Sequence, residues 1–470
     1  MSRINTNISS VIAQRILSMQ NNRLNLSLQR LSTGLRINTG KDDPAGLIAS
    51  EMLRSEKTAI NASLTNIARA TNVVNVAESG LQEVSNLLTN MEDLVDRSSN
   101  ETGISQDERD ANQREIDNIL ESINRIASST ELQGRRLLSG DLAYTTSGVS
   151  STQIGRLQIN SARIPDNGTR SVVVEVNMAA SLAALAYIGG AVTGSARTIE
   201  VTGNLGTERL TFASGSALSA IEAAVNQAKY LTGVSASVVS TGVRFTSTAY
   251  GADQFVRVRA LSGTFTMSGG LIQDYGRDAV VSVNGQTTTA DGLNVSVRST
   301  SFSADLTLTS GFGSAAGGSS TFAVTGGGAR FVISPQLDMN SLATMGIDPV
   351  TTTALGNADD GYLYTLGTGN ANALNQRNYF AAQRIVRDAL AQVSTMRARL
   401  GSYVKDTLDT TANSLRVQME NVTAAESALR DTDFAEETSN LTRAQILVQS
   451  ATNVLKMANA APQNVLALLQ

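Results

Sequence analysis

The chain has 470 residues, 41 acidic against 37 basic, and contains neither histidine nor cysteine. Those two absences exclude a Ser-His-Asp triad, a Cys-His pair, an HExxH zinc site, a disulfide and any Cys-ligated metal. The length predicts three or four domains, no apolar run reaches membrane-spanning length, and no basic stripe alternates with aromatics as nucleic-acid binding requires.

Residues 1–41 carry six basic side chains and no acid. They look superficially like an organellar transit peptide, but they continue into a patterned arm. Between Ile4 and about Leu31, the residues Ile8, Ile12, Ile16, Met19, Leu24, Leu28 and Leu31 form a narrow apolar stripe among Asn, Gln, Ser and Arg. Such a helix needs a partner. Gly34 and Gly40 break it. Asp43 then suits an N-cap and Pro44 the first helical position, where its missing N–H costs nothing. The stretch from Pro44 to Ser99 reads as nearly unbroken helix, roughly 80 Å long at 1.5 Å per residue. Its positions Ile67, Ala70, Val74, Ala77, Leu81, Val84, Leu88, Met91 and Val95 alternate steps of three and four, a coiled-coil seam that Gly80 interrupts only mildly. Ser105 and Glu108 make a capping box for a further helix burying Ile116, Ile119, Leu120, Ile123, Ile126 and Ala127.

Composition changes near Gly140, and residues 141–370 hold 30 of the 38 glycines. Arg170–Val176, Thr198–Thr202, Glu208–Phe212, Val243–Ser247, Phe255–Val258 and Ala279–Val283 alternate as strands do, with a helix at about Ala217–Tyr230. The pattern predicts an α+β module at about 171–270 and a β-rich one at 271–340. The glycine runs lack the Lys-Ser/Thr of a phosphate loop and read as turns. Helix returns around Ala373 and runs to Leu429 with a second seam: Val386, Leu390, Val393, Met396, Leu400, Val404, Leu408, Thr411, Leu415, Met419, Val422, Ala425 and Leu429. Two seams so far apart are most simply satisfied by packing on each other, which folds the chain back and brings its termini together. Residues 42–140 carry 17 acids against nine bases and residues 371–430 eight bases against five acids, which weakly favours that pairing. After an acidic break the last segment, with Leu441, Ile446, Leu447, Val448, Val454, Leu455, Met457, Val465, Leu466, Leu468 and Leu469, makes a second apolar stripe that needs a partner.

Ser32-Thr-Gly-Leu-Arg36-Ile-Asn38 and Asp42-Asp43-Pro44-Ala45-Gly46 resemble the N-terminal signature of bacterial flagellins. Ala425-Glu-Ser-Ala-Leu-Arg430-Asp431-Thr-Asp433, Gln445-Ile-Leu447, Ala458-Asn459 and Gln463-Asn-Val465-Leu466-Ala-Leu468-Leu469 resemble the C-terminal one. The likeness covers about 1–140 and 371–470 in the correct order. Centrally, Gly233-Val-Ser-Ala-Ser237 and Gly251-Ala-Asp-Gln-Phe255 resemble a repeat inserted in flagellar rod, hook and filament proteins, and Ala279 to Gly285 with Asp291-Gly292-Leu293 resembles another flagellin insertion. Two stretches depart from the family. Gly401-Ser-Tyr-Val-Lys405-Asp406 lacks its usual Asn-Arg pair. Thr89-Asn90-Met91-Glu92-Asp93-Leu94-Val95-Asp96 lies where members sensed by a vertebrate innate receptor resemble Gln-Arg-Val-Arg-Glu-Leu-Ala-Val.

The resemblance implies a multidomain α plus β fold with long helices from both termini and inserted central domains. Residues 1–42 and 431–470 would be the arms of an inner coiled coil, 43–140 and 371–430 a helical shell, and 141–370 the surface domains. It implies a self-polymerising filament subunit, extracellular, exported without a cleaved signal peptide, and neither an enzyme nor a cofactor binder. The implied partners are further copies, hook-associated and cap proteins, the export apparatus with a chaperone for the C-terminus, and possible O-glycans. Gly34, Arg36, Asn38, Asp42, Asp43, Pro44, Gly46, Arg430, Asp431, Asp433, Leu447, Asn459, Val465, Leu466, Leu468 and Leu469 are the residues implied in turns and assembly. Asn90, Glu92, Leu94 and Asp96 mark the receptor-facing segment. A hook–filament junction protein shares the same ends and is the alternative; a coiled-coil adhesin or phage fibre, or an enzyme inserted in the middle, are further classes.

Overall fold

The computed structural model describes residues 6–100, 103–165, 168–192, 195–239, 242–299, 301–338, 341–357 and 360–467, without the side chains of 289 and 461–467. The principal helices are α1 (Ile8–Thr33), α2 (Pro44–Ser98), α3 (Gln106–Ser129), α4 (Leu218–Gln227), α5 (Tyr379–Ser402), α6 (Thr410–Arg430) and α7 (Phe434–Ala467). The chain divides into two compact units. One holds Met1–Ala68, Ile333–Leu337 and Asp406–Gln470; the other holds Arg69–Val332 and Asp338–Lys405.

Local chemistry sets the helix ends. Asp43 Oδ1 accepts from Gly46 N at 2.9 Å, so the expected cap opens α2, and Pro44 is its first residue. At α3, Ser105 Oγ accepts from Glu108 N at 3.2 Å while Glu108 Oε2 accepts from Ser105 N at 3.4 Å, completing the capping box. The helix expected to run unbroken from Ala373 to Leu429 instead starts at Tyr379 and passes through a π-helical stretch at Tyr403–Asp409. A π turn is wider than an α turn, so the seam slips there. Leu400 and Leu408 are buried, whereas Val404 is only half-buried.

In the larger unit the seam of α2 is buried as its spacing requires, from Val74 through Leu81, Leu88 and Met91 to Val95. It shares one core with Ile116, Ile119 and Ile123 of α3 and with Ile385, Val386, Val393, Met396 and Leu400 of α5. Leu390, assigned to the seam, is only half-buried, because α5 meets two helices and buries Ala382 and Ala389 as well. Arg397 Nε to Glu78 (2.8 Å), Arg387 Nε to Glu92 (2.7 Å) and Gln383 Nε2 to Asp96 (2.7 Å) join α5 to α2 along the solvent edge. The opposite charge of the two regions is used, in pairs that exposure keeps weak.

Three boundaries differ from the sequence reading. Arg170–Met178 does not belong to the 171–270 module: it pairs antiparallel with Ser319–Gly327 on one side and Val280–Val283 on the other. These strands form an eight-stranded sheet with Tyr144–Ser147, Gln286–Asp291, Asn294–Arg298, Phe302–Leu308 and Ile154–Ala162. One sheet therefore spans both proposed modules, around a core that includes Val172, Val174, Val281, Phe302, Leu306 and Phe322. Nor are residues 329–370 a surface domain. Ala329, Met345, Ile347, Val350, Leu355, Leu363 and Leu366 lie in the helical core.

The second central core is an insertion within the sheet module. Two small sheets and α4 enclose Leu185, Tyr187, Ile199, Val201, Ile221, Val225, Phe245, Val256 and Phe265, with Tyr187 stacked on Phe265 at 3.9 Å between ring centroids. Where the chain enters and leaves, Ser181 and Arg277 exchange backbone hydrogen bonds, each 3.0 Å. A Cβ on Gly276 would fall 2.7 Å from Ser181 O, so only glycine permits this crossing. Excising 182–276 and bridging the adjacent ends with two glycines leaves every strand of the eight-stranded sheet in place. The expected product is folded. Its helical core melts within a few degrees of the intact chain, since the loss includes one exposed cation–π contact of about 0.5–1 kcal/mol, Arg384 over Tyr230. Calorimetry that finds no cooperative transition contradicts this assignment.

One half-buried arginine joins the sheet module to α5. Arg399 donates through Nη1 to Asn160 Oδ1 and through Nη2 to Gly346 O at 2.9 Å, and it lies 3.6 Å from the Asp348 carboxylate. Asn160 in turn donates to Asp305 at 2.7 Å, and Gln158 donates to Asp348 at 2.6 Å. Burial lowers the pKa of Arg399. At Asp305 burial pushes the carboxyl up, but bonds from Asn160, Ser296 and Arg298 together hold it below the ordinary value.

Asp388 on α5 has the reverse shift: burial, then the neighbouring Asp360 carboxylate, raises its pKa above 3.8. The folded protein therefore holds this proton more tightly than the unfolded chain. Stability falls as pH rises from 3.8 through the raised value. Asp388→Asn, which keeps an oxygen for Asn357 Nδ2 (2.6 Å), should be more stable than the parent at neutral pH. The two should converge in acid when denaturant midpoints are followed against pH.

Candidate assembly interface

In the unit that holds both chain ends, α1 and α7 pack antiparallel. Asn7 Nδ2 donates to Ala458 O (2.8 Å) and Ser10 Oγ to Asn459 Oδ1 (2.7 Å) at one end, and Arg30 lies 3.6 Å from Glu437 at the other. The buried positions are Ala13, Gln20 and Ser27 on α1, and Glu437, Ala444 and Ala451 on α7. Each set repeats every seven residues, as a coiled-coil seam does. Between them, Leu17, Leu24 and Leu31 on α1 and Leu441, Val448 and Leu455 on α7 repeat at the same spacing and are half-buried, so small and large side chains alternate along the contact.

Part of each apolar stripe stays uncovered within the chain. Ile8, Ile12, Ile16, Met19 and Leu28 on α1 are exposed, as are Ile446, Leu447, Val454 and Met457 on α7, whereas Leu24, Leu31, Leu441, Val448 and Leu455 are half-buried. Hydrophobic periodicity located both stripes but not the most buried positions between them, because alanine and serine barely register in it and Gln20 and Glu437 are polar.

The residues at the junction after α1 hold a turn. Gly34 caps α1 with φ 73°, a conformation that suits glycine, and its N–H donates to Arg30 O at 2.8 Å. Leu35 then bridges to Asp431: Arg36 N donates to Arg430 O (2.7 Å) and Thr432 N to Gly34 O (2.9 Å). The Arg36 guanidinium donates to Leu429 O at 2.8 Å, and Arg430 reaches Glu51 at 3.4 Å. Asp42 accepts from Thr39 N (2.8 Å), Asn38 N (3.1 Å) and Thr39 Oγ1 (3.1 Å), and the bond from Thr39 N is the main reason its pKa is lowered. Asn38 Nδ2 closes the loop on Leu35 O at 2.9 Å. Asp431 accepts from Ser427 Oγ (2.6 Å), and Asp433 caps α7 by accepting from Ala435 N at 2.8 Å. A Cβ on Gly46 would fall 2.7 Å from Ile37 Cδ1, so a side chain there would have to displace the buried Ile37 side chain and the Asp43 cap. Ten of the sequence-selected residues thus gather at one junction where the two ends of the chain are stitched together.

Among the described residues there is no group of three potential metal ligands, and no helix is long and apolar enough to cross a membrane.

The family comparisons agree with that geometry at both ends. Residues 4–143 match the bacterial flagellin N-terminal helical region, and residues 384–469 match the bacterial flagellin C-terminal helical region. B-type flagellin of Pseudomonas aeruginosa is 29% identical, with 99% of this chain and 99% of the relative aligned. Flagellin B of Helicobacter pylori is 27% identical over 100% of this chain and 99% of its own, and flagellin C of Vibrio anguillarum is 29% identical over 99% of each. The chain belongs to the bacterial flagellin family.

Within this flagellin, Val465 and Leu466 lie on the last turns of α7, and Leu468 and Leu469 lie outside the described residues. The receptor-like segment is divided by its environment. Leu94 is buried in the helical core and Asn90 is exposed, while Glu92 and Asp96 are bonded to Arg387 and Gln383 of α5. A solved flagellin, FliC from Burkholderia pseudomallei, covers 72% of this chain and 98% of its own at 15% identity with a TM-score of 0.25. The junction protein FlgL from Xanthomonas campestris covers 79% and 98% at 14% with a TM-score of 0.29. Likeness at that level does not separate the two classes.

Proposed function

We propose that this flagellin is the repeating subunit of an extracellular flagellar filament, polymerising through the stripes that α1 and α7 leave uncovered. The observation that carries the reading is the exposed apolar set outside the arm contact: Ile8, Ile12, Ile16, Met19 and Leu28 on α1, and Ile446, Leu447, Val454 and Met457 on α7. Burying each such side chain stabilises by about 1.5–3 kcal/mol, and within one chain they stay in water. The junction residues Gly34 to Gly46 and Arg430 to Asp433 hold the two arms in register for that contact, and catalysis has no part in the role. The arms 1–42 and 431–470 form the inner layer, and the sheet module with its insertion faces solvent. Further copies are the principal partner. Hook-associated and cap proteins at the filament ends, the export apparatus with a chaperone for the C-terminal arm, and O-glycans on the Ser- and Thr-rich surface complete the proposal.

Electron microscopy of purified protein after seeding tests it. Long filaments are expected, and thousands of copies in sheared appendages; a ring's worth per appendage would indicate the hook–filament junction instead.

Weak activation of the vertebrate innate receptor is also part of the proposal. Asn90 and Glu92 stand where sensed flagellins resemble Arg, and Asp96 adds a negative charge, so charge-assisted bonds to an acidic receptor surface are lost. The double variant Asn90→Arg, Glu92→Arg should gain roughly tenfold or more in potency in receptor-bearing cells. Equal potency, with melting of the variant unchanged, would rule this out.

A further inference from the structure

We infer that Met19 and Met457 make assembly of this flagellin sensitive to oxidation, the inference resting on the filament reading above. Cysteine, tryptophan and histidine are absent from the chain, so methionine is its most readily oxidised side chain. Four of the described methionines are exposed: Met19 (47%), Met52 (69%), Met178 (49%) and Met457 (71%). Met91, Met267, Met345 and Met396 are buried, and Met419 is half-buried. Two of the four exposed thioethers therefore stand on the polymerising arms.

Their placement is alike on both arms. Met19 ends the run Ile12, Ile16, Met19, with steps of four and three, and Met457 lies three residues beyond Val454, which is itself eight beyond Ile446. Each sulfur lies on the exposed stripe and not in the arm contact, so it is open to solvent in the monomer and covered in the polymer.

The chemistry requires only a peroxide. The thioether sulfur attacks one peroxide oxygen, the O–O bond breaks, and that oxygen is bonded to sulfur as sulfoxide while the other leaves as water. Sulfur is oxidised by two electrons and the peroxide is reduced by two. An apolar, flexible side chain becomes a polar one that opposes burial, without disturbing the arm contact. Methionine sulfoxide reductase reverses the step, so the block is a reversible one.

The test treats full-length monomer with graded hydrogen peroxide, maps sulfoxide at each methionine by peptide mass, and measures seeded polymerisation. The untreated chain is expected to polymerise. Oxidation at Met19 and Met457 should raise the critical concentration roughly tenfold or more, and sulfoxide reductase should restore it. The variant Met19→Leu, Met457→Leu should keep its own untreated critical concentration, whatever that value is, across the peroxide series, whereas Met52→Leu, Met178→Leu should remain sensitive. In preformed polymer, Met19 and Met457 should be protected while Met178 still reacts. Failure of the untreated chain to polymerise would overturn the filament reading and this inference with it. Normal polymerisation of the oxidised chain, or equal peroxide loss in the Met19→Leu, Met457→Leu variant, would overturn this inference alone.

Discussion

Removal of Val454–Gln470 abolishes polymerisation while leaving the larger unit folded. The segment contributes Val454 and Met457 to the exposed stripe, and it carries half-buried Leu455 and the Asn7–Ala458 and Ser10–Asn459 contacts that hold the far end of the arm pair. Two large exposed apolar side chains at about 1.5–3 kcal/mol each correspond to a critical concentration about a hundredfold higher or more. No residue of the helical core from Val74 to Leu400 lies in the deleted stretch, so the melting of that core should not move. Sedimentation after seeding and calorimetry measure the two halves of the expectation. Filaments from the truncated chain at the parental concentration would refute it.

The second large effect belongs to Arg399. Arg399→Met keeps the length of the side chain and removes the donors to Asn160, Gly346 and Asp348, leaving a carboxylate and a carbonyl without their cation. Losing charge-assisted hydrogen bonds at this half-buried site costs about 1.5–3 kcal/mol. The sheet module also loses its charged tie to α5. Arg399→Lys should recover only part of the loss, because an ammonium cannot reproduce the planar fork. Thermal unfolding of the three proteins checks the order parent, Lys, Met. A Met variant as stable as the parent would mean that the network contributes nothing net.

How far the sequence could be read depended on how far each signal was local. The α2 seam, the Asp43 cap and the Ser105–Glu108 box follow from spacings within a few residues, and each is found where it was expected. Arg170–Met178 shows a strand's alternation, but its partner Ser319–Gly327 is more than a hundred residues away. Nothing local says which module a strand joins, and a module boundary was drawn through one sheet. Met345, Ile347, Val350 and Leu355 enter the helical core mostly from irregular backbone, where no period marks a buried face. The junction of Gly34, Arg36, Asp42 and Asp431 was found through resemblance and explained only by its hydrogen bonds. On the arms, the large aliphatic residues are shared between the half-buried contact (Leu24, Leu31, Leu441, Val448, Leu455) and the surface that a single chain leaves open (Ile12, Ile16, Ile446, Val454), a division that hydrophobic spacing alone does not give.

The central claim is that α1 and α7 gain their main burial from other copies and not from each other. Amide hydrogen exchange at residues 8–33 and 434–460, followed by mass spectrometry in monomer and in polymer, measures this directly. The account predicts rapid exchange of both arms in the monomer, strong protection in the polymer, and little change over the α2–α5 core. Equal protection of the arms in both states would contradict it.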